Sequence, residues 1–381
     1  MAPDRLAFVA LTGCYLATTT AEWILSPLFP LLAPDLGLGS ADAGIAFSVL
    51  AGSLAVGGLA GGFLLMRIGP RPSVILGLLL VAAGAAASAA ATGRASLLSA
   101  QVVLGFGSGT FFAPGLLSAA TLAGERRRGL AIGIFGVAFS AGVALGGLLA
   151  LLGTVWGWRA SFLATAALAL AGAGSIALLR FDVPRPVPGR RGRFKLRGAV
   201  APVTVGGVAG ASQYGTVAFL PLFAVHAWGL SPGTAALVIT ASRVLSVPAK
   251  LLSGNSADRA GSLRIARRLG LALALLGAWW TIAPGPSVAV GAAVLFGAFV
   301  AALGPVANVL ALDAFEDRAQ LLGAFRATQL GLGAATSALL GTAAAFVGLR
   351  ISLAVAAVAI PATLLLLGRA RQEESSWSSP S

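Results

Sequence analysis

Two cations stand seven residues apart in "ITASRVLSVPAKLL" (239–252), a stretch otherwise suited to the middle of a membrane. Arg243 and Lys250 are two helical turns apart and share nearly one face, and Pro248 between them removes a backbone bond and predicts a bend. Arg326 and Gln329 lie in another apolar run, and Glu22 in a third. Ionisable groups in such runs are costly, so each is a functional candidate. The cations point to an anionic solute. The carboxyl group points to proton carriage, against the blander reading of a hydrogen-bonded packing group. Tyr15, Thr18 or Thr19, Glu22 and Ser26 recur at helical spacing and predict a polar stripe facing a water-filled cavity. Gln101, Gly105, Ser108 and Phe112 form a similar face; Ser212, Gln213, Tyr214 and Thr216 cluster elsewhere, and Asn308 stands alone. Candidate solute ligands are therefore Arg243, Lys250, Arg326, Gln329, Tyr214, Gln213, Asn308 and Gln101, with Glu22 as the proton carrier. Two readings weigh against this: a single Ser or Thr more often bonds its own helix, and long cationic side chains can snorkel to an interface. Snorkelling suits Lys250 and Arg326. It does not suit Arg243, about 15 Å deep from the outer end of its run and near the midplane.

Other chemistries find no constellation. His226 and Cys14 are the only residues of their kinds, so neither a nucleophile–base pair nor a metal cluster is expected. An intramolecular disulfide is impossible. "GFGSG" (105–109) has no preceding strand and no following lysine, so it is not a phosphate loop. His226, Trp156, Trp158, Trp279 and Trp280 are expected in interfacial aromatic belts. No cofactor, metal or nucleic-acid partner is expected.

The elements that must position these residues follow from composition. The 381 residues are 57% hydrophobic and 10% charged, with a mean hydropathy of +0.92. Soluble domains carry about 25% charged residues, so this chain is expected to be an all-α polytopic membrane protein. Its net charge of +14 sits in short segments between apolar runs, which fits membrane topology better than a nucleic-acid face. Twelve spans are predicted near 6–32, 43–66, 73–92, 96–122, 129–153, 159–180, 199–226, 233–256, 265–283, 287–312, 319–346 and 349–368. The first is read as a span, being too long for a signal-peptide core.

With the N-terminus inside, 20 of the 26 Lys and Arg fall in inner segments and three in outer ones, Arg94, Arg159 and Arg350. That bias predicts cytoplasmic termini in a cell (inner, plasma) membrane. The expected organisation is a six-helix half over 1–180, a basic linker over 181–198 that could also meet anionic lipid heads, a second half over 199–369, and a tail over 370–381.

The halves repeat. Arg67 and Gly69 recur as Arg259 and Gly261, and "GL" at 37–38 recurs at 229–230, all 192 residues on. "GWR" at 157–159 recurs as "GLR" at 348–350, and "ERR" at 125–127 as "EDR" at 316–318, both 191 residues on. A parallel duplication places a solute site near the midplane, between the halves.

These features resemble the major facilitator superfamily. Its loop after the second span of each half reads roughly G-x-x-x-D-R-x-G-R-R. The second half matches at Gly254, Asp258, Arg259, Gly261 and Arg264; the first matches at Gly62, Arg67, Gly69 and Arg71, with Met66 in the acid's place. The resemblance implies a gating role for these residues and a weakened latch where Met66 stands. It also implies a cavity lined by spans 1, 4, 7, 8, 10 and 11. In anion carriers of the family, the monocarboxylate transporters among them, span 8 carries Arg-x3-Gly; Lys250 and Gly254 match, with lysine for arginine. The family's antiporter pattern in span 5 is met by Gly133, Gly142 and Gly146 and broken at Gly147, Ala150 and Leu151. Gly142-x3-Gly146 and Gly58-x3-Gly62 are read as helix packing.

The expected function is secondary transport of a small organic anion, monocarboxylate-like and proton-coupled, by a monomer in lipid. Proton-driven efflux of cationic or neutral drug-like compounds is the alternative within transport. A channel or lipid scramblase is the alternative outside it.

Overall fold

The computed structural model describes residues 3–123, 128–179, 183, 196–283, 285–314 and 319–367. Most of the 181–198 linker and the whole 370–381 tail lie outside these residues. Among the described residues twelve helices are long and apolar enough to cross a membrane, and no strand occurs. The first half comprises α1 (Pro3–Leu36), α2 (Ser40–Ile68), α3 (Pro70–Ala89), α4 (Arg94–Ala123), α5 (Arg128–Trp156) and α6 (Trp158–Leu178). The second comprises α7 (two arms, Leu196–Gly210 and Leu220–Trp228), α8 (Pro232–Ala260), α9 (Ser262–Ile282), α10 (Pro286–Ala314), α11 (Ala319–Val347) and α12 (Leu349–Ala362). Lipid cannot satisfy free backbone groups, so helices that close their own bonds are the solution this composition allows.

The sequence predicts α7 as one uninterrupted span, and here the structure differs. Leu196–Gly210 gives way to a π turn at Ala211–Thr216 and a 3-10 turn at Val217–Phe219 before Leu220–Trp228 resumes. Pro221 stands in the first turn of that second arm. Its missing N–H and its ring forbid a regular bond across the joint, so the ladder is reset there.

The repeat is written in the turns. Every described residue with positive φ is a glycine, and the six form three pairs: Gly37 and Gly229 (65° and 64°), Gly69 and Gly261 (90° and 88°), Gly157 and Gly348 (83° and 85°). Side chains with a Cβ resist these angles, so the sequence matches mark turns that require glycine. Arg159 donates to the Ala91 carbonyl at 3.1 Å just beyond α3. Its repeat mate Arg350 donates to Thr281 at 3.2 Å in the last turn of α9. Cations at helix C-termini satisfy orphan carbonyls and the helix dipole.

Two close contacts between the halves lie towards the far side, the end opposite the chain termini. Gly44 of α2 lies backbone to backbone against Gly341 of α11, leaving no room for a Cβ. Thr240 of α8 donates to the Ala144 carbonyl of α5 at 3.3 Å. Without a hydrophobic driving force in lipid, such close backbone approach is what holds helices together.

Two sequence expectations are corrected. Gly142 packs against Leu16 and Thr19 of α1 as expected, but Gly58 and Gly62 face open space. Their neighbours Gly57 and Gly61 instead pack on the Phe106 and Thr110 carbonyls of α4. Of the four tryptophans assigned to belts, Trp156 and Trp279 are exposed, whereas Trp158 and Trp280 are buried. Trp158 is drawn in by its bond to Asp35 at 2.8 Å, and Trp280 by edge contacts to Phe223, Trp228 and Phe296.

Candidate functional site

The intramembrane charges gather between the halves in two layers. The deeper layer combines Glu22 and Trp23 of α1, Gln213 and Tyr214 of the α7 π turn, and Arg243 of α8. Arg243 is 0% exposed. In the amide orientation that satisfies both groups, its Nη1 and Nη2 donate to the Gln213 oxygen at 3.3 and 3.1 Å. The guanidinium carbon stands 5.3 Å from the Trp23 ring centroid, and Trp23 is 5.2 Å from Tyr214. Dipole and ring quadrupole thus offset part of a desolvation cost that no carboxylate relieves. Among the described residues the one ion pair is Arg94 with Asp42, at 3.1 Å, far from this layer. Two donors remain unpartnered there, Arg243 Nε and Trp23 Nε1.

The second layer lies nearer the termini. Lys250 Nζ donates to Ser140 Oγ of α5 at 2.7 Å and to the Gly136 carbonyl at 3.4 Å, and stands 5.0 Å from the Phe139 ring centroid. Arg326 of α11 donates to Gln329 at 2.6 Å and stands 5.4 Å from Phe112 of α4. Tyr15 sits among Phe111, Phe112, Phe135 and Phe139 at centroid distances from 4.9 to 6.3 Å. Ser140 bridges the layers: its hydroxyl is 3.0 Å from Ser246, which donates to the Arg243 carbonyl at 2.7 Å. Ser108 of α4 donates to the Thr18 carbonyl of α1 at 3.4 Å, one turn from Glu22.

The structure therefore brings Glu22, Gln213, Tyr214, Arg243, Lys250, Arg326 and Gln329 together. It does not bring in Gln101, which donates to Ser88 of α3 at 3.0 Å inside the first half, or Asn308, which is exposed with no described bond to the cluster. Of the predicted α1 stripe, Thr18 and Thr19 bond the Tyr15 carbonyl of their own helix at 2.9 Å. Sequence reasoning missed Trp23, Phe139, Ser140 and Ser246. Trp23 adjoins Glu22, Phe139 lies one turn from Phe135 and Ser246 one turn from Lys250, whereas Ser140 carried no such signal.

The gating residues hold helix ends rather than a described bond across the halves. Arg71 donates to the Ile176 and Ala177 carbonyls at 3.2 and 2.7 Å, at the C-terminus of α6. Arg67 lies over Phe63 of its own helix at 5.1 Å. Gly69 and Gly261 form the turns, Gly62 and Gly254 meet no close neighbour, Arg259 is exposed, and the Asp258 side chain lies outside the described residues. His226 bonds the Leu222 carbonyl of its own helix at 2.9 Å.

A profile of the Major Facilitator Superfamily matches residues 11–205, just over half of the chain. The chain belongs to the major facilitator superfamily. Its twelve apolar helices make it a multi-pass membrane protein of that family. A chloramphenicol resistance protein of Streptomyces lividans is 36% identical over 194 residues, covering 50% of this chain and 46% of that protein. The chain thus spans about half the length of the curated relative it matches. A D-xylose–proton symporter superposes with a TM-score of 0.74 at 16% identity, over 94% of this chain and 96% of its own. A bacterial homologue of the human lysosomal transporter Spinster, inward-facing and unoccupied, gives 0.74 at 16% identity over 100% of both chains. These likenesses establish the superfamily's fold for all twelve helices.

Proposed function

We propose that this transporter carries a small organic anion by alternating access, with Glu22 taking the coupled proton. One observation carries the reading: Arg243 is fully buried with a neutral amide as its hydrogen-bonding partner. A guanidinium so placed is a standing demand for an anion. Lys250 and Arg326 add charge nearer the termini, against one acid. The backbone-to-backbone contact between halves at Gly44 and Gly341 lies towards the far side, while Lys250 and Arg326 are half-buried, which supports access from the terminus side. The charge bias supports cytoplasmic termini and a cytoplasmic 181–198 linker between the two halves. A reporter fused after Gly189 should behave as cytoplasmic; external activity would overturn this topology.

The test is equilibrium binding of a carboxylate panel to purified, monodisperse protein. Arg243→Gln should abolish anion binding, and Lys250→Gln and Arg326→Gln should weaken it. Unchanged affinity in Arg243→Gln would sink the anion reading. A second reading, proton-driven efflux of neutral or cationic compounds, is supported by the resemblance to the chloramphenicol resistance protein. Chloramphenicol belongs in the panel: binding that outlasts Arg243→Gln would favour efflux. Counterflow in proteoliposomes separates either carrier from a channel or scramblase.

A further inference from the structure

Each of the three intramembrane cations belongs to the second half, and each lies beside an aromatic ring of the first. Arg243 pairs with Trp23 at 5.3 Å, Lys250 with Phe139 at 5.0 Å and Arg326 with Phe112 at 5.4 Å. None of the three pairs is local to one helix. An anion that reaches these cations from the terminus side therefore arrives against ring faces. Phe112 and Phe139 are only partly buried, so part of each ring remains open, whereas Tyr15 behind them is buried. A small aliphatic acid would leave those surfaces unmatched. A flat ring matches them, because aromatic pairs gain from edge-to-face or offset contact beyond simple burial.

The vertical spacing sets the rest of the ligand. Lys250 and Arg243 are seven residues apart on α8, about 10 Å along its axis. A ring lying against Phe112 and Phe139 can present an acid group to Arg243 if a short methylene arm separates the two. We infer that the substrate class is the aryl-alkyl carboxylates, with Phe112 and Phe139 as the specificity-determining residues that select an aromatic ring. This rests on the anion reading above and narrows it. The Nε–H of Arg243 and the indole N–H of Trp23, both unpartnered, are the donors that the carboxylate oxygens would satisfy.

A matched trio of probes separates the two claims. 3-Phenylpropionate and 3-cyclohexylpropionate have the same charge, arm and carbon skeleton, and differ in the π system. 3-Phenylpropanamide keeps the ring and removes the charge. Calorimetric titration of the full chain should give 3-phenylpropionate roughly two- to tenfold tighter binding than its saturated partner, and no binding of the amide. Phe112→Leu and Phe139→Leu keep apolar bulk and remove the ring. Combined, they should bring that ratio to about unity, the ratio and not the absolute affinity being the readout. Equal affinity of the two acids in the wild type, or a preference that survives both leucines, overturns the aromatic claim and leaves the anion reading standing. Binding of the amide at the strength of the acid overturns both, as does absence of binding by all three probes.

Discussion

Ser26 donates a hydrogen bond to the Ala218 carbonyl at 2.7 Å, and the two residues stand 192 apart in the chain. That is the offset of the repeat, so each is the other's structural equivalent. Equivalent positions touch only on the axis relating the halves, which fixes where that axis passes between α1 and α7. Trp23 and Tyr214, 191 residues apart and 5.2 Å between ring centroids, lie beside the same axis. Arg243 is thereby tied to the centre of the molecule through Trp23.

Closure on the far side depends on how closely α2 and α11 approach. Gly341→Val would press a branched side chain into the Gly44 backbone. Transport should fall at least tenfold while the protein stays monodisperse, because the halves cannot seal. Gly52→Ala on the same helix pair meets only the Ala334 Cβ at 3.9 Å and should transport normally. Equal activity of the two variants would show that this contact does not gate the path.

The bond from Lys250 to Ser140 joins α8 to α5 with a charged donor. Such bonds contribute about 1.5–3 kcal/mol. Ser140→Ala removes the 2.7 Å partner and leaves the longer one to Gly136. Thermal unfolding in detergent should shift down by a few degrees. Lys250→Gln should bind anions more weakly without a larger loss of stability, since it removes the charge and its desolvation cost together. A melting temperature unchanged in Ser140→Ala would place the Lys250 ammonium elsewhere in solution.

Glu22 offers the cleanest separation of coupling from binding. Glu22→Gln keeps the shape of this buried side chain and removes its charge. Exchange of solute across proteoliposome membranes should survive, while accumulation driven by a pH gradient should disappear. Intact accumulation would move the proton to another group; Asp313, exposed near the end of α10, is the next to test.

The correction on α2 is itself testable. Gly57→Ala would meet the Phe106 carbonyl, and Gly58→Ala would meet nothing within 4 Å. The first should cost about 1–3 kcal/mol by overpacking. The second should be neutral or slightly stabilising, since alanine favours a helix by up to about 1 kcal/mol. A comparative unfolding measurement on the pair decides it.

The sequence exposes the spans because lipid demands long apolar helices, and exposes the repeat because the turns at Gly69, Gly261, Gly157 and Gly348 tolerate no other residue well. It exposes Arg243, Lys250, Arg326 and Glu22 because an ionisable group in an apolar run is costly and therefore conspicuous. It hides the interruption of α7, since Pro221 and two glycines in "GASQYGTVAFLP" are common in membrane helices that stay continuous. It also hides which face of α4 Gln101 takes, because a polar residue bonded to Ser88 within one half and one lining a path obey the same periodicity. The glycine register on α2 is one residue away from the reading that spacing favours, since Gly57, Gly58, Gly61 and Gly62 contain two interleaved pairs.

The three cations occupy positions whose repeat mates are Ala51, Gly58 and Phe135. Had each half acted as one member of a symmetric pair, every cation would have faced its own twin across the axis. Six positive charges would then surround one cavity, and like charges at such range in a poorly solvated interior repel strongly. Joining the halves into a single polypeptide lets one side hold the positive groups and the other the rings and the acid. The covalent fusion is thus what makes an electrically lopsided binding chamber affordable, and a solute gripped by two unlike walls is the result.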